Sequence, residues 1–357
     1  MRTTVYAIPL RLLRRQVEYV SHVRKMSLRD RARRAKSCCA PLMIEGVGVL
    51  MSACGLCPRF QGEAEAQKMY YECHGHIFMD GQNFKAAREL HIHGVNREDV
   101  QSKLEIMREH GITYFRDGGD HLGASEYARS ISEEYGIEYR TPLYAIHRNG
   151  HYGGIVGRGF DDLKEYRVLV NEAGRGHADF IKVMFSGILD FSGSGGVNEQ
   201  PLEPDEIREM IHIAHEEGFA VMAHVNGAGP VLAAIEAGAD SVEHGNFMDD
   251  DCIHALAEGN TVWVPTNVTI HNLLLSDRYD HRLIRKLDEL QAETIRKAFA
   301  LGSAIAPGSD SGAFMVPHGR GTVDEWERLL EILGNEKETG ERLLEGAQQI
   351  RRRFRKG

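Results

Sequence analysis

The sequence predicts an α/β protein built as a parallel (β/α)8 TIM barrel, and three observations carry that prediction. Eight short apolar runs recur from Met69 onward, segments of helical periodicity separate them, and several runs are introduced by a glycine that ends the preceding helix. Length agrees, since such a barrel takes roughly 250 residues and the chain has 357, leaving room for an additional segment.

The strand candidates, in order, are residues 69–76, 112–117, 138–145, 178–185, 219–225, 239–244, 261–266 and 303–308. Helical spacing falls between them at 97–110, 125–135, 161–172, 204–217, 229–237, 250–258, 278–301 and 323–333. Glycine just past a helix adopts the left-handed conformation cheaply, so His110-Gly111-Ile112, Tyr135-Gly136-Ile137, Glu217-Gly218-Phe219 and Glu258-Gly259-Asn260 mark helix ends. The barrel with its C-terminal helices is assigned to 69–357, and residues 1–68 to a basic N-terminal extension.

Composition excludes several classes. With 42% hydrophobic and 27% charged residues and 38 glycines, the chain reads as soluble and globular with many tight turns. No apolar run approaches the roughly 20 residues that cross a bilayer, so no transmembrane segment is expected. The formal charge of −9 is uneven: residues 1–36 hold eleven Arg and Lys against Glu18 and Asp30, which leaves the remainder strongly acidic. Such an arm suits nucleic acid, an anionic membrane surface or a transit segment, and the plainer reading, a solvated extension with no nucleic-acid partner, is preferred. Arg11, Arg14 and Arg15 interrupt the early apolar stretch and argue against a secretory signal. Met69 stands directly before the first strand, which suggests that residues 1–68 are dispensable.

Six cysteines in a chain of this length do not make a disulfide scaffold, which favours a reducing, cytoplasmic setting. Cys38-Cys39 with Cys54-x-x-Cys57 has the ligand types of a small zinc site, but adjacent cysteines make a poor knuckle. Cys73 and Cys252 read as small core residues.

Chemistry concentrates at strand ends. In a strand, residues i and i+2 share a face, so His74 and His76 project together across Gly75 and can share one metal. A second pair, His91-Ile92-His93, falls in a polar connection and is expected at the surface. Lys182 in Ile181-Lys182-Val183, His224 in Met222-Ala223-His224, His244 in Val242-Glu243-His244 and Asp310 in Gly308-Ser309-Asp310 each close a separate strand. Barrel enzymes place their sites at the C-terminal ends of strands, so these residues are expected to converge. Lys182 is expensive to bury as an ammonium. Either it reaches water at a helix interface, or carbon dioxide has added to its amine to give a carbamate able to bridge two cations.

The segment from Met69 to Arg320 resembles a two-metal amidohydrolase with a carboxylated lysine, in the branch of prolidase-like and imidazolonepropionase-like hydrolases. Gly111-Ile112-Thr113, Arg116-Asp117 and Pro317-His318-Gly319 share the likeness. By that resemblance His74, His76 and Asp310 hold one divalent ion, His224 and His244 a second, and carboxylated Lys182 bridges them. Zinc is the default metal, with carbon dioxide or bicarbonate for the lysine. Lys182 and Asp310 are then the catalytic pair: a metal-bridging hydroxide attacks an amide, cyclic amide or dipeptide C–N bond while Asp310 relays the proton. A lactonase or phosphotriesterase on the same metals, and a noncatalytic metal-binding barrel, are the alternatives. The partner is a small-molecule substrate, and a homo-oligomer is left open.

Many relatives carry a β-sandwich built from both chain ends, which this sequence lacks by its pattern: residues 1–68 are not strand-rich and the end is a basic run, Arg351 to Lys356. Substrate contacts are expected from the glycine-rich loop 147–154, with Arg148 gripping a carboxylate, His147 polarising a carbonyl, and His151 and Tyr152 nearby. The bland alternative is a lid without direct contacts. Arg116-Asp117 is expected to form a structural ion pair supporting the rim. Asn226, Asn267 and His318 either touch substrate or hold turns.

Overall fold

The computed structural model describes residues 69–191, 193 and 195–356. The expectations for residues 1–68, the Cys38-Cys39 and Cys54-x-x-Cys57 set included, lie outside the described residues.

All paired strands run parallel. β1 (Tyr70–Gly75), β2 (Ile112–Asp117) and β3 (Glu138–Arg140) form one sheet in that order. β4 (Ala145–Arg148), β5 (Gly157–Phe160), β6 (Ile181–Met184), β7 (Val221–Val225), β8 (Ser241–His244) and β9 (Val262–Val264) form a second, ordered β5-β4-β6-β7-β8-β9. The wall continues from β9 back to β1 through the eighth expected strand. Trp263 N donates to Ala304 O and Ala306 N to Trp263 O on one side, while Cys73 N reaches Pro307 O and Asp310 N reaches His74 O on the other. Among the described residues no strand forms a flanking sandwich.

The third expected strand, 138–145, is broken into β3 and β4. Pro142 has no N–H to give a ladder and Leu143 sits at φ 68°, a left-handed conformation that no strand continues. Asp179 bridges the gap, its N donating to Thr141 O (2.9 Å) while its carboxylate accepts from Thr141 N (2.9 Å). β5 was not legible in the sequence. Its Gly157 lies so close to β4 that a Cβ would stand 2.5 Å from Ala145 O.

The helices are α1 (Phe84–His91), α2 (Arg97–Glu109), α3 (Ala124–Ile131), α4 (Leu163–Arg175), α5 (Pro204–Glu216), α6 (Ala228–Glu236), α7 (Asp250–Glu258), α8 (Val268–His271), α9 (His281–Ala300), α10 (Arg320–Leu333) and α11 (Glu336–Arg353). Their starts follow cap chemistry: Asn83, Asn96, Asp162, Asp249 and Asp280 each accept from first-turn amides, worth about 1 kcal/mol apiece. Gly111, Gly136 and Gly218 take the expected positive φ, but Gly259 does not (φ −93°). It is glycine for space instead, because a Cβ there would meet Ala255 O at 2.8 Å. α1 also corrects the expected polar connection: it buries His91, whose Nε2 lies 3.2 Å from Asp99, and only His93 stays exposed.

The main core lies between the strands and the surrounding helices, and a second apolar cluster fills the barrel interior. There Phe180, Met222, Val262 and Val264 meet Ala347, Ile350 and Phe354, so α11 and the residue after it cover the end opposite the site. Cys73 and Cys252 are buried free thiols, as expected of core residues. Among the described residues no helix is long and apolar enough to cross a membrane.

Candidate metal centre

The C-terminal ends of the strands open into one cavity of about 310 Å3, and His74, His76, Lys182, His224, His244 and Asp310 all line it. Six residues separated by up to 236 positions in sequence are thereby brought together. Lys182 Nζ lies 3.3 Å from His74 Nε2. Asp310 Oδ1 stands 3.7 Å from His74 Nε2 and 3.5 Å from His76 Nε2. Ligand atoms of His74, His244 and Asp310 fall within 4.8 Å of one another, and the His224 and His244 rings are 4.6 Å apart. Two of these side chains are aimed by unusual backbone. His244 (φ 64°) and Asp310 (φ 58°) are left-handed at their strand ends, a conformation that costs of order 1 kcal/mol or more in non-glycine residues.

Hydrogen bonds behind the imidazoles set which nitrogen faces the cavity. His74 Nδ1 is 2.7 Å from Glu243, a carboxylate that accepts the Nδ1–H hydrogen bond and so leaves Nε2 with its lone pair toward Lys182 and Asp310. His244 Nδ1 pairs with Thr266 Oγ1 at 2.7 Å. His224 Nε2 meets the carbonyl of Gly187 at 3.1 Å; a carbonyl only accepts, so Nε2 carries the hydrogen and Nδ1 is the free donor. Glu243 is itself held by Arg116, whose Nη2 donates at 2.9 Å, while Arg116 Nε and Nη1 reach Cys73 O (2.6 Å) and Ser241 Oγ (2.8 Å).

Burial dominates the electrostatics. It pushes His74 and His244 well below the ordinary imidazole range and His76 and His224 down to about 3, so all four are neutral. It also lowers Lys182 toward the free amine and raises Asp310 toward the neutral acid. Neutral imidazoles with aimed lone pairs, an amine and a carboxyl group form a donor set that fits divalent cations such as zinc.

The loop expected to contact substrate divides. Tyr152 lines the cavity with its ring 5.2 Å from that of His224. His147 is buried beside Gly153 with Nδ1 donating to Arg148 O at 2.9 Å, His151 turns toward Glu199, and Arg148 pairs with Glu206 on a separate surface groove. None of those three lines the cavity. The expected Arg116–Asp117 pair is replaced: Arg116 pairs with Glu243, and Asp117 accepts from Tyr139 Oη, Ile77 N and Gly119 N. Asn226 lines the cavity and bonds Gly187 O and Asn246. Asn267 is tied to Gln291 and Arg328, and His318 donates to His76 O, so both hold turns.

Sequence reasoning missed Glu243, Thr266 and Arg278. The first had a readable signal, because Glu243 and Arg116 are charged residues inside apolar strand runs, where burial demands a partner. Nothing marked Thr266 or Arg278.

Known proteins resemble this chain in sequence and in fold. The model of the amidohydrolase family matches residues 70–328. An ochratoxinase of Aspergillus niger is 26% identical over 232 residues, covering 64% of this chain and 45% of its own length. An imidazolonepropionase of Photobacterium profundum is 28% identical over 179 residues, covering 48% and 38%. The chain thus spans less than half the length of these curated relatives. Among solved structures, a Xaa-Pro dipeptidase with bound methionine superposes with a TM-score of 0.64 at 24% identity, over 79% of this chain and 75% of that one, and so shares the fold.

Proposed function

The chain belongs to the amidohydrolase family, and from that premise we propose that it is a metal-dependent hydrolase of an amide, cyclic amide or dipeptide C–N bond. His74, His76 and Asp310 would hold one divalent cation and His224 and His244 a second, with Lys182 serving both. Zinc suits imidazole and carboxylate donors, as do several other ions. Bound cations supply Lewis acidity toward water and toward the substrate carbonyl.

The remaining work falls to the chain's own groups. Burial favours the neutral Lys182 amine, the form that adds carbon dioxide: its nitrogen forms the new C–N bond, one proton leaves, and a carbamate with two donor oxygens results. That converts a buried amine into an anion suited to the divalent cations the site would hold. Asp310, in its carboxylate form beside the bound cations, would accept the proton of the attacking water and pass it to the departing nitrogen. Glu243 and Thr266 fix the ring orientations of His74 and His244. Tyr152 closes one side of the cavity over His224, where burial keeps its phenol protonated.

The observation that carries this reading is the convergence of four neutral imidazoles, one buried lysine and one partly buried carboxyl in a single cavity. The test is metal analysis with a hydrolysis screen of dipeptides, N-acyl amino acids and cyclic amides after zinc and bicarbonate loading. Two equivalents of metal and turnover are expected, and Lys182→Ala should lose at least about tenfold in metal affinity or activity. A Lys182→Ala protein with unchanged metal content and rate would sink the bridging role.

A further inference from the structure

The wall of the cavity above the metal-ligand set is apolar and aromatic, and one cation is mounted on it. Phe191, Tyr279 and Phe314 form a chain of rings, with centroids 5.6 Å and 6.5 Å apart. Arg278 lies across two of them, its guanidinium carbon 5.2 Å from the Tyr279 centroid and 4.9 Å from that of Phe314. All four residues line the cavity. Among the described residues Arg278 forms no ion pair, in contrast with Arg148, whose guanidinium is taken by Glu206. The remaining non-histidine cation of the lining is Lys182 at the floor, and among the described lining residues the acid is Asp310, also at the floor.

We infer that Arg278 anchors the free carboxylate of the substrate, so that the enzyme takes N-acyl or peptide-linked amino acids bearing a bulky apolar or aromatic group. This rests on the C–N hydrolase reading above and adds the substrate class to it. Arg278 is exposed toward the cavity side with two aromatic rings beside its guanidinium, and such a group can offer its N–H groups for two-pronged contact with a carboxylate while the rings limit part of its rotational freedom. The aromatic chain beside it gives apolar surface to the adjoining side chain or acyl group. A cavity of about 310 Å3 is at the small end of ligand sites, in keeping with a dipeptide-sized molecule. Among the described lining residues, the wall carries no acid that would favour a cationic ligand.

The probe pair is N-benzoyl-L-phenylalanine and its carboxamide, whose binding to the full chain stripped of metal is measured by calorimetry. The wild type should bind the acid at least about tenfold more tightly than the carboxamide. Arg278→Gln should abolish that preference while leaving carboxamide affinity within about threefold, and Arg278→Lys should restore part of it. An equal acid-to-carboxamide ratio in wild type and Arg278→Gln, an equal loss for both ligands, or no binding of either by the wild type overturns the inference. The same pair is then offered to the zinc-loaded enzyme. Absence of amide turnover there, with the binding preference intact, would fail the hydrolase reading and leave the Arg278 assignment standing.

Discussion

The two halves of the barrel interior handle buried charge in opposite ways. Below the cavity Arg116 is saturated: it pairs with Glu243, donates to Ser241 and the Cys73 carbonyl, and stacks on Phe354 with 4.3 Å from its guanidinium carbon to the ring centroid. Above it, Lys182, Asp310 and four histidines crowd together, each held toward its neutral form by burial. The lower half is closed by its own partners, while the upper half gathers donors whose charge balance is left to a ligand. His74 joins them, since its Nδ1 belongs to the paired network and its Nε2 to the open one. Stability is therefore concentrated below and function above.

The largest expected effect breaks the lower half. Arg116→Ala leaves Glu243 buried without its cation and should cost about 3–5 kcal/mol in denaturant unfolding. Lys182→Met, which removes from the upper half a buried amine that has no ion pair among the described residues, should stay within about 1 kcal/mol of the wild type or gain stability. If both substitutions cost the same, the contrast between the halves is wrong.

That contrast also explains what the sequence made legible. The strands announced themselves because barrel walls are apolar, and the ligands because a histidine, lysine or aspartate ending such a run has no packing reason to be there. The break in the third strand was harder to see: Pro142 is visible, but the left-handed Leu143 that splits β3 from β4 depends on tertiary contacts. α1 was missed because its apolar face is short, with Ala87 and His91 as its buried residues. The basic run that begins at Arg351 belongs to the fold: Arg351, Arg352 and Arg353 close α11, where cations suit the helix dipole, and Phe354 is fully buried. For the substrate contact, the glycine-rich loop after the third strand pointed to Arg148, and nothing in the sequence pointed to Arg278. Sequence position does not reveal that Glu206, fifty-eight residues away, neutralises the first while aromatic rings mount the second.

A smaller perturbation is confined to the upper half. The His76 ring lies over Gly118, where a Cβ would overlap the imidazole, and the backbone there is not left-handed. Gly118→Ala should displace His76 and lower metal affinity by about 10–100-fold, judged by competition with a chelator. Unfolding free energy should change by no more than about 1 kcal/mol. Normal metal affinity would mean that His76 is not a ligand or that the ring moves without consequence.

The smallest effect concerns the rim that positions Thr266 behind His244. From α10, buried Glu325 accepts hydrogen bonds from Asn267 N (3.1 Å) and Val268 N (2.9 Å) at the start of α8, directly after Thr266. Burial pushes its carboxyl from 4.5 up to about 8, so between those values the folded protein holds a proton that the unfolded chain has released. The associated stability is fully present below the unfolded pKa and is lost as the pH rises through the folded one. Wild-type stability should accordingly fall from pH 5 to pH 8, and Glu325→Gln, neutral throughout, should fall less, so that the gap between the two narrows. The readout is the difference in unfolding free energy between the two proteins across that window. A constant difference would mean that Glu325 is ionised in the folded protein, held by the two amides and by Arg328 strongly enough to outweigh its burial.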